Sequence, residues 1–382
     1  MATERLRLMI PGPVDVEDDV LAALAGPVLP HYGRDWLAIY VEAVKCLKQV
    51  FGTQNDLFLM PGSGTAGLDA AMGSLMRSGD KVLVPQNGFF GQRLATIARA
   101  YGLDVRAVTA PLGQPVDPEG IRQALAEEPD IQAVALVHLE TSTAVLNPLQ
   151  EISAISREFE VPIIVDAVSS LGGMPLLVDE WGIDICVTVI NKCLACPAGV
   201  VPLSVSQRAW DQMDRKRGRA HGWYLNLHTW KDFATDWASW HPYPTTLPTN
   251  VIVALLTGLR RILAGGLMAY YDRHTQAAQI VRSGLAHLGF EMFADEAHTS
   301  PLLTAVRGQP GMDVEDLRRY LVEEWQIMVS GGLHELRGKI IRVGHMGKAA
   351  SVEYSEKLLR GVEDYLRLQG HDVPPVGTAR LV

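Results

Sequence analysis

Lys192 is the only charged residue between Asp184 and Arg208. Apolar residues surround it on both sides. An ionised amine is costly in such a setting and is rarely left there unpaired. Burial lowers a lysine's pKa. A lysine perturbed in this way is the type that forms Schiff bases with carbonyl compounds. A surface lysine at a strand end, with Asn191-Lys192 opening a loop, would give the same local pattern.

Asp166 closes the apolar run Pro162–Asp166, and the small residues Ala167, Ser169, Ser170, Gly172 and Gly173 follow it. A carboxylate at the carboxyl end of a parallel strand faces the crevice where α/β sheets bind ligands. Beside a pyridine nitrogen it would keep that nitrogen protonated, so that the ring could act as an electron sink. A helix cap is the competing role. Gly62-Ser63-Gly64-Thr65 lies between a predicted strand and a predicted helix. Amides at a helix start, with two hydroxyls, suit a phosphate without any lysine. The turn has neither the P-loop pattern nor the G-x-G-x-x-G spacing. Phe89-Phe90 offers a ring to stack on a flat cofactor, with core packing as its alternative. Arg342, in KIIRVGHMG, is the only charge between Lys339 and Lys348. An arginine there suits bidentate grip of a carboxylate, or else an ordinary ion pair.

These residues must be carried by a regular scaffold. Strands are expected at Asp56–Met60, Lys81–Pro85, Asp104–Val108, Ala133–His138, Pro162–Asp166 and Ile185–Ile190. Helices are expected at Asp18–Leu24, Asp35–Phe51, Thr65–Arg77, Gly91–Tyr101, Pro118–Glu128 and Pro148–Phe159. Near-continuous apolar strands between helices predict an α/β fold, a mainly parallel sheet flanked on both faces. Long helices should follow at Asn250–Ala264 and Met268–Leu288. The stretch Glu291–Gln369 reads as strand, helix, strand, strand, helix, a smaller α+β domain. The division expected is an arm over 1–20, a large domain over 21–265 and a small one over 266–382. After the basic run Asp214–Arg219, four of the eight tryptophans follow: Trp223, Trp230, Trp237 and Trp240. They suit a core or a subunit interface, and the basic run suits a solvated turn.

With 382 residues and 48% hydrophobic content, the chain can bury a large core. A net charge of -9 argues against a nucleic-acid surface. No stretch approaches the roughly 20 apolar residues of a membrane span, and the opening MATERLRLMIPGPV has no signal-peptide core. A cytoplasmic enzyme is expected. Cys46, Cys186, Cys193 and Cys196 are too few for a disulfide scaffold. Cys193 and Cys196 form a C-x-x-C without further ligands for a metal, and buried packing is the expected role.

Taken in order, the motifs PGPV (Pro11–Val14), PGSGTAGLDAA (Pro61–Ala71), NGFFGQR (Asn87–Arg93), HLETSTAVLNP (His138–Pro148), VDAVSSLGG (Val165–Gly173), NKCLACPAG (Asn191–Gly199) and RVGHMG (Arg342–Gly347) span nearly the whole chain. Together they resemble the class V, fold type I aminotransferases that use pyridoxal 5′-phosphate, in the alanine–glyoxylate and serine–glyoxylate branch. The resemblance implies a Schiff base at Lys192, which would also carry the proton between Cα and the cofactor. It implies Asp166 at the pyridine nitrogen and Ser63, Gly64 and Thr65 at the phosphate, with Asn191 just before the lysine. Phe90 would stack on the ring, and Ser142 with Thr143 would lie beside it. Arg342 would bind the substrate α-carboxylate, with Gly12 and Tyr32 also shaping the substrate pocket. Tyr243–Thr246 matches a Tyr-x-x-Thr pattern that meets the phosphate of the neighbouring subunit, implying that Tyr243 and Thr246 serve a shared site in a homodimer.

Two departures stand out: Thr143-Ala144 where relatives carry Thr-Gly, and Val189-Ile190-Asn191-Lys192 where they carry G-[ST]-Q-K. The implied reaction is amino transfer from a small L-amino acid, alanine or serine, to glyoxylate or pyruvate. A pyridoxamine–pyruvate transaminase would place an acid where Ser63 and Thr65 stand. A lyase of the cysteine desulfurase type would need a mobile-loop cysteine, and Cys193 and Cys196 directly follow the lysine. A non-catalytic binding protein on the same fold would not need Lys192 and Asp166 together.

Overall fold

A computed structural model of the chain describes residues 5–216 and 222–376. Its main element is a seven-stranded sheet. In order across the sheet the strands are Asp56–Gly62, Gly199–Val205, Ile185–Val187, Ile163–Asp166, Ile131–Val137, Lys81–Gln86 and Asp104–Thr109. All neighbours pair in parallel except Gly199–Val205, which is antiparallel to both of its partners. Ile163–Asp166 is buried throughout, as a strand covered on both faces must be.

Helices cover the sheet, Gly64–Leu75 buried nearly all round and others along one apolar stripe. Arg34–Phe51 buries Trp36, Tyr40, Ala43, Leu47 and Val50, a helical spacing. Pro118–Glu127 starts where Pro118 pre-sets the first turn and Asp117 accepts from the Glu119 amide. Cys46, Cys186 and Cys196 join this core, and all four cysteines are free and buried.

A second sheet of four strands, in the order Arg7–Met9, Ile327–Gly331, Ile340–Gly344, Leu303–Arg307, has its own core. Helices Leu267–His287, Val314–Glu323 and Val352–Leu368 pack on it. The first strand comes from the other end of the chain: Arg7, Leu8 and Met9 pair with Ile327, Met328 and Val329. The segment after Met9 then crosses to the large sheet.

Two differences from the sequence reading bear on the site. The strand expected to run to Ile190 stops at Val187. Thr188 turns the chain away, its amide donating to Pro202 O and its hydroxyl to Ala167 O. Lys192 follows in the turns beyond that point. The strand Gly199–Val205 was not foreseen, and it carries Pro202, a residue that central strands usually lack. Pro202 pairs with Leu59 on one side, and on the other its carbonyl accepts from the Thr188 amide, so its missing N–H faces the edge where Ile185–Val187 has already ended.

Trp230 is fully buried, whereas Trp223, Trp237 and Trp240 are about half exposed. Within the basic run, Asp214 accepts from His228 and Lys216 pairs with Asp80, and residues 217–219 lie outside the described residues. Residues 1–4 and 377–382, at the ends of the expected arm and small domain, lie outside them too.

Candidate active site

The carboxyl ends of the parallel strands open onto a cavity of about 510 Å³. Lys192, Asp166 and the Gly62–Thr65 turn all line it, with Phe90 and Asn191. Sequence positions more than 120 residues apart are thus brought to one place, as strand ends in an open α/β sheet dictate.

Burial lowers the Lys192 amine to a pKa of about 8, the neighbouring Arg342 and Arg93 adding to the effect against Cys193 and Asp166. Its Nζ donates to the carbonyl oxygen of Pro11. Asp166 is 7% exposed. Burial raises its pKa to about 6, against the Val168 amide, which donates to Oδ1 at 3.0 Å, and against Lys192. A cation beside this carboxylate would return it towards the ordinary range.

Ser63 stands at the N-cap of helix Gly64–Leu75, yet its side chain makes no capping bond. The hydroxyl therefore remains available to a ligand, beside the first-turn amides that every helix leaves unpaired. The turn is also tight. A Cβ on Gly64 would come within 2.8 Å of Val168 Cγ2 and 3.1 Å of Val189 Cγ1. An anion-binding turn, a buried carboxylate and a partly buried lysine around one cavity fit the chemistry of pyridoxal 5′-phosphate: Ser63, Gly64 and Thr65 would face its phosphate, Asp166 its ring nitrogen and Lys192 its aldehyde.

Phe90 lies in the first turn of helix Phe89–Ala100. Arg93, one turn on, also lines the cavity, and its guanidinium sits 4.8 Å from the Phe89 ring centroid and 4.9 Å from that of Phe90. Arg93 was not singled out from the sequence, although its place in NGFFGQR, three residues past Phe90, puts both on one helix face.

Ser142 and Thr143 do not line the cavity. Both are buried, in the loop between the short strands Leu139–Glu140 and Val145–Leu146. The Ser142 hydroxyl donates to Glu140 at 2.6 Å and accepts from the Phe89 amide at 3.0 Å. Thr143 Oγ1 donates to the Glu140 carbonyl at 3.4 Å. Glu140, fully buried, is a second residue that sequence reasoning passed over.

Arg342 is 6% exposed. Its Nε donates to Gly331 O and its Nη1 to Thr141 O, both at 2.7 Å. No carboxylate pairs with it among the described residues, and burial lowers its pKa to about 10. A buried guanidinium without an anion is a binding group in waiting. Gly12 lies directly against the Lys192 side chain.

Tyr32, Tyr243 and Thr246 lie apart from this cavity and cluster around His31. The Tyr32 ring is 5.3 Å from the His31 ring, Tyr243 donates to His31 O, and Thr246 Oγ1 is 3.5 Å from His31 Nε2. Cys193 and Cys196 are buried, and desolvation pushes both thiols up to about 12. Neither is suited to nucleophilic attack. Among the described residues, no group of three or more His, Cys, Asp or Glu side chains could hold a metal ion.

The family model for class V aminotransferases matches residues 18–349. An uncharacterized aminotransferase of Methanocaldococcus jannaschii is 38% identical over 89% of this chain and 87% of its own length. The (S)-ureidoglycine–glyoxylate transaminase of Bacillus subtilis is 31% identical over 96% and 92%. The crystal structure of an alanine–glyoxylate aminotransferase from Nostoc superposes with a TM-score of 0.91 at 33% identity, covering 96% of this chain and 97% of the other.

Proposed function

The chain belongs to the class V aminotransferases, and on that premise we propose that it moves the amino group of a small L-amino acid, alanine or serine, to a 2-oxo acid, glyoxylate or pyruvate, with pyridoxal 5′-phosphate bound through Lys192. The observation that carries this reading is Lys192 and Asp166 lining one cavity with an anion-binding turn.

When bound, the cofactor supplies an electron sink that eases loss of the proton from the substrate Cα. The rest falls to the protein. With a pKa of about 8, Lys192 holds both its neutral and its protonated form in useful amounts near neutral pH, so its Nζ can take a proton and return it. Asp166 is an anion at the same pH and would hold a proton on the pyridine nitrogen. Arg342 has no anion of its own and would grip the substrate carboxylate, which fixes the direction of the Cα–H bond.

The cluster of Tyr243 and Thr246, remote from the cavity of its own chain, supports a homodimer in which these residues reach the partner's phosphate. The half-exposed Trp223, Trp237 and Trp240 support the same reading, since exposed apolar patches mark contact surfaces. Four free, buried cysteines suit a reducing compartment such as the cytoplasm.

The test is spectroscopic. Purified protein should show the visible band of lysine-bound pyridoxal phosphate, and Lys192→Ala should abolish it. Alanine, serine and aspartate, added singly, then identify the donor by conversion to the pyridoxamine form. A colourless protein that gains nothing from added cofactor overturns the proposal. Sedimentation should give a dimer, and Thr246→Ala should weaken cofactor binding despite its distance from the cavity of its own chain.

A further inference from the structure

Glu140 is completely buried, yet no cationic side chain bonds to it among the described residues. Its carboxylate is held by four hydrogen bonds. Oε2 accepts from the amides of Phe90 at 2.9 Å and Gly91 at 3.0 Å. Oε1 accepts from the Ser142 amide at 3.0 Å and from the Ser142 hydroxyl at 2.6 Å. The same hydroxyl accepts from the Phe89 amide at 3.0 Å.

Three consecutive amides at the start of helix Phe89–Ala100 are therefore satisfied by a carboxylate and a hydroxyl about 50 residues away in sequence, where a local side-chain cap is absent. A negative charge is favourable at that end of a helix. The space is closed: a Cβ on Gly88 would lie 2.4 Å from Ser142 Oγ and 2.5 Å from Glu140 Cδ. The helix held in this way carries Phe90 and Arg93 into the cavity.

We propose that Glu140 is a positioning residue, whose carboxylate fixes the first turn of helix Phe89–Ala100 and thereby the placement of Phe90 against the cofactor ring. Ser142 is the second half of the clamp. Its single hydroxyl proton goes to Glu140, so its oxygen faces its other neighbours as an acceptor. The proposal rests on the cofactor assignment above and adds a residue to it.

The experiment compares wild-type protein with Glu140→Gln and Ser142→Ala. Glutamine keeps the shape but sets an amide donor against donors, which leaves a buried hydrogen bond unmade. Three quantities are read: equilibrium binding of pyridoxal 5′-phosphate to the apoprotein, the induced circular dichroism of the bound cofactor, and hydrogen exchange at the Phe90 and Gly91 amides. Glu140→Gln should bind roughly tenfold more weakly, with an altered induced signal and faster exchange. Ser142→Ala, the milder change, should shift the induced signal in the same sense and serves if Glu140→Gln does not fold. A folded variant with wild-type affinity and a wild-type induced signal overturns the proposal while leaving the cofactor assignment intact. Failure of the wild-type protein itself to bind the cofactor overturns both.

Discussion

A Cβ on Gly12 would stand 2.3 Å from Cδ of Lys192 and 2.6 Å from its Nζ. The position has φ +115, a conformation other residues rarely adopt. The amine itself meets the carbonyl of the preceding residue, Pro11. The N-terminal arm is thus a wall of the lysine's own space. Gly12→Ala should lower turnover by about a hundredfold, since small displacements of reacting groups cost that much. Appearance of the visible band on adding cofactor to the apoprotein should slow in parallel. Wild-type rates for both would show that the arm does not confine the lysine.

The pH dependence of cofactor capture follows from Lys192. The neutral amine is the nucleophile, and its pKa is about 8. The rate at which apoprotein gains the visible band should therefore rise with pH and level off above that value. An unperturbed lysine would keep rising towards its ordinary value of about 10.4. Stopped-flow absorbance across this range decides between the two profiles.

Asp166 sets the opposite trend in apoprotein stability. Its pKa is raised from 3.8 to about 6 in the folded chain. The folded state therefore holds this proton more tightly than the unfolded one. The resulting stabilisation is fully present below 3.8 and is lost as pH rises through about 6. Asp166→Asn, which cannot ionise, should remove this component from the melting temperature profile of the apoprotein. In the loaded enzyme the same change should lower turnover by about a hundredfold or more, because a fixed charge at the reacting system is gone. Wild-type turnover in a cofactor-bound variant would remove Asp166 from the mechanism.

Arg342→Lys keeps the charge and loses the planar fork. The guanidinium keeps three N–H donors after its bonds to Gly331 and Thr141, whereas an ammonium has three in all and cannot hold both carbonyls and grip a carboxylate in two places. The kcat/KM for the amino donor should fall about tenfold to a hundredfold, the value of one charge-assisted hydrogen bond. The visible band should be unchanged. A loss of cofactor with no change in donor specificity would argue against carboxylate binding.

Much of this arrangement is legible in the sequence because it is carried by local signals. Asp166 ends an apolar strand, Lys192 is alone in an apolar run, and the Gly62–Thr65 turn separates a strand from a helix. Each signal is short in range and survives folding. Glu140 was not legible, because its role is a set of bonds to backbone amides some 50 positions away. No side-chain pattern marks such a partner. The strand Gly199–Val205 was not foreseen, and it accommodates Pro202 because the missing N–H faces the side on which its neighbour strand has ended. Ala144 shows the reverse case. The sequence marks it as a departure from the glycine of relatives, and the structure keeps the glycine conformation there, φ +62, at a buried alanine.

The pairing of Arg7 with Ile327 has a consequence for synthesis on the ribosome. All seven strands of the large sheet lie before position 206. The four-stranded sheet is completed only by Ile340–Gly344, more than a hundred residues later, although its first strand, Arg7–Met9, precedes the whole large sheet. Closing so long a loop is slow and comes late. The arm that walls Lys192 is seated by that closure. The Gly62–Thr65 turn thus precedes, by more than 250 residues, the strand that seats the arm beside Lys192, so confinement of the lysine waits on Ile327–Gly331.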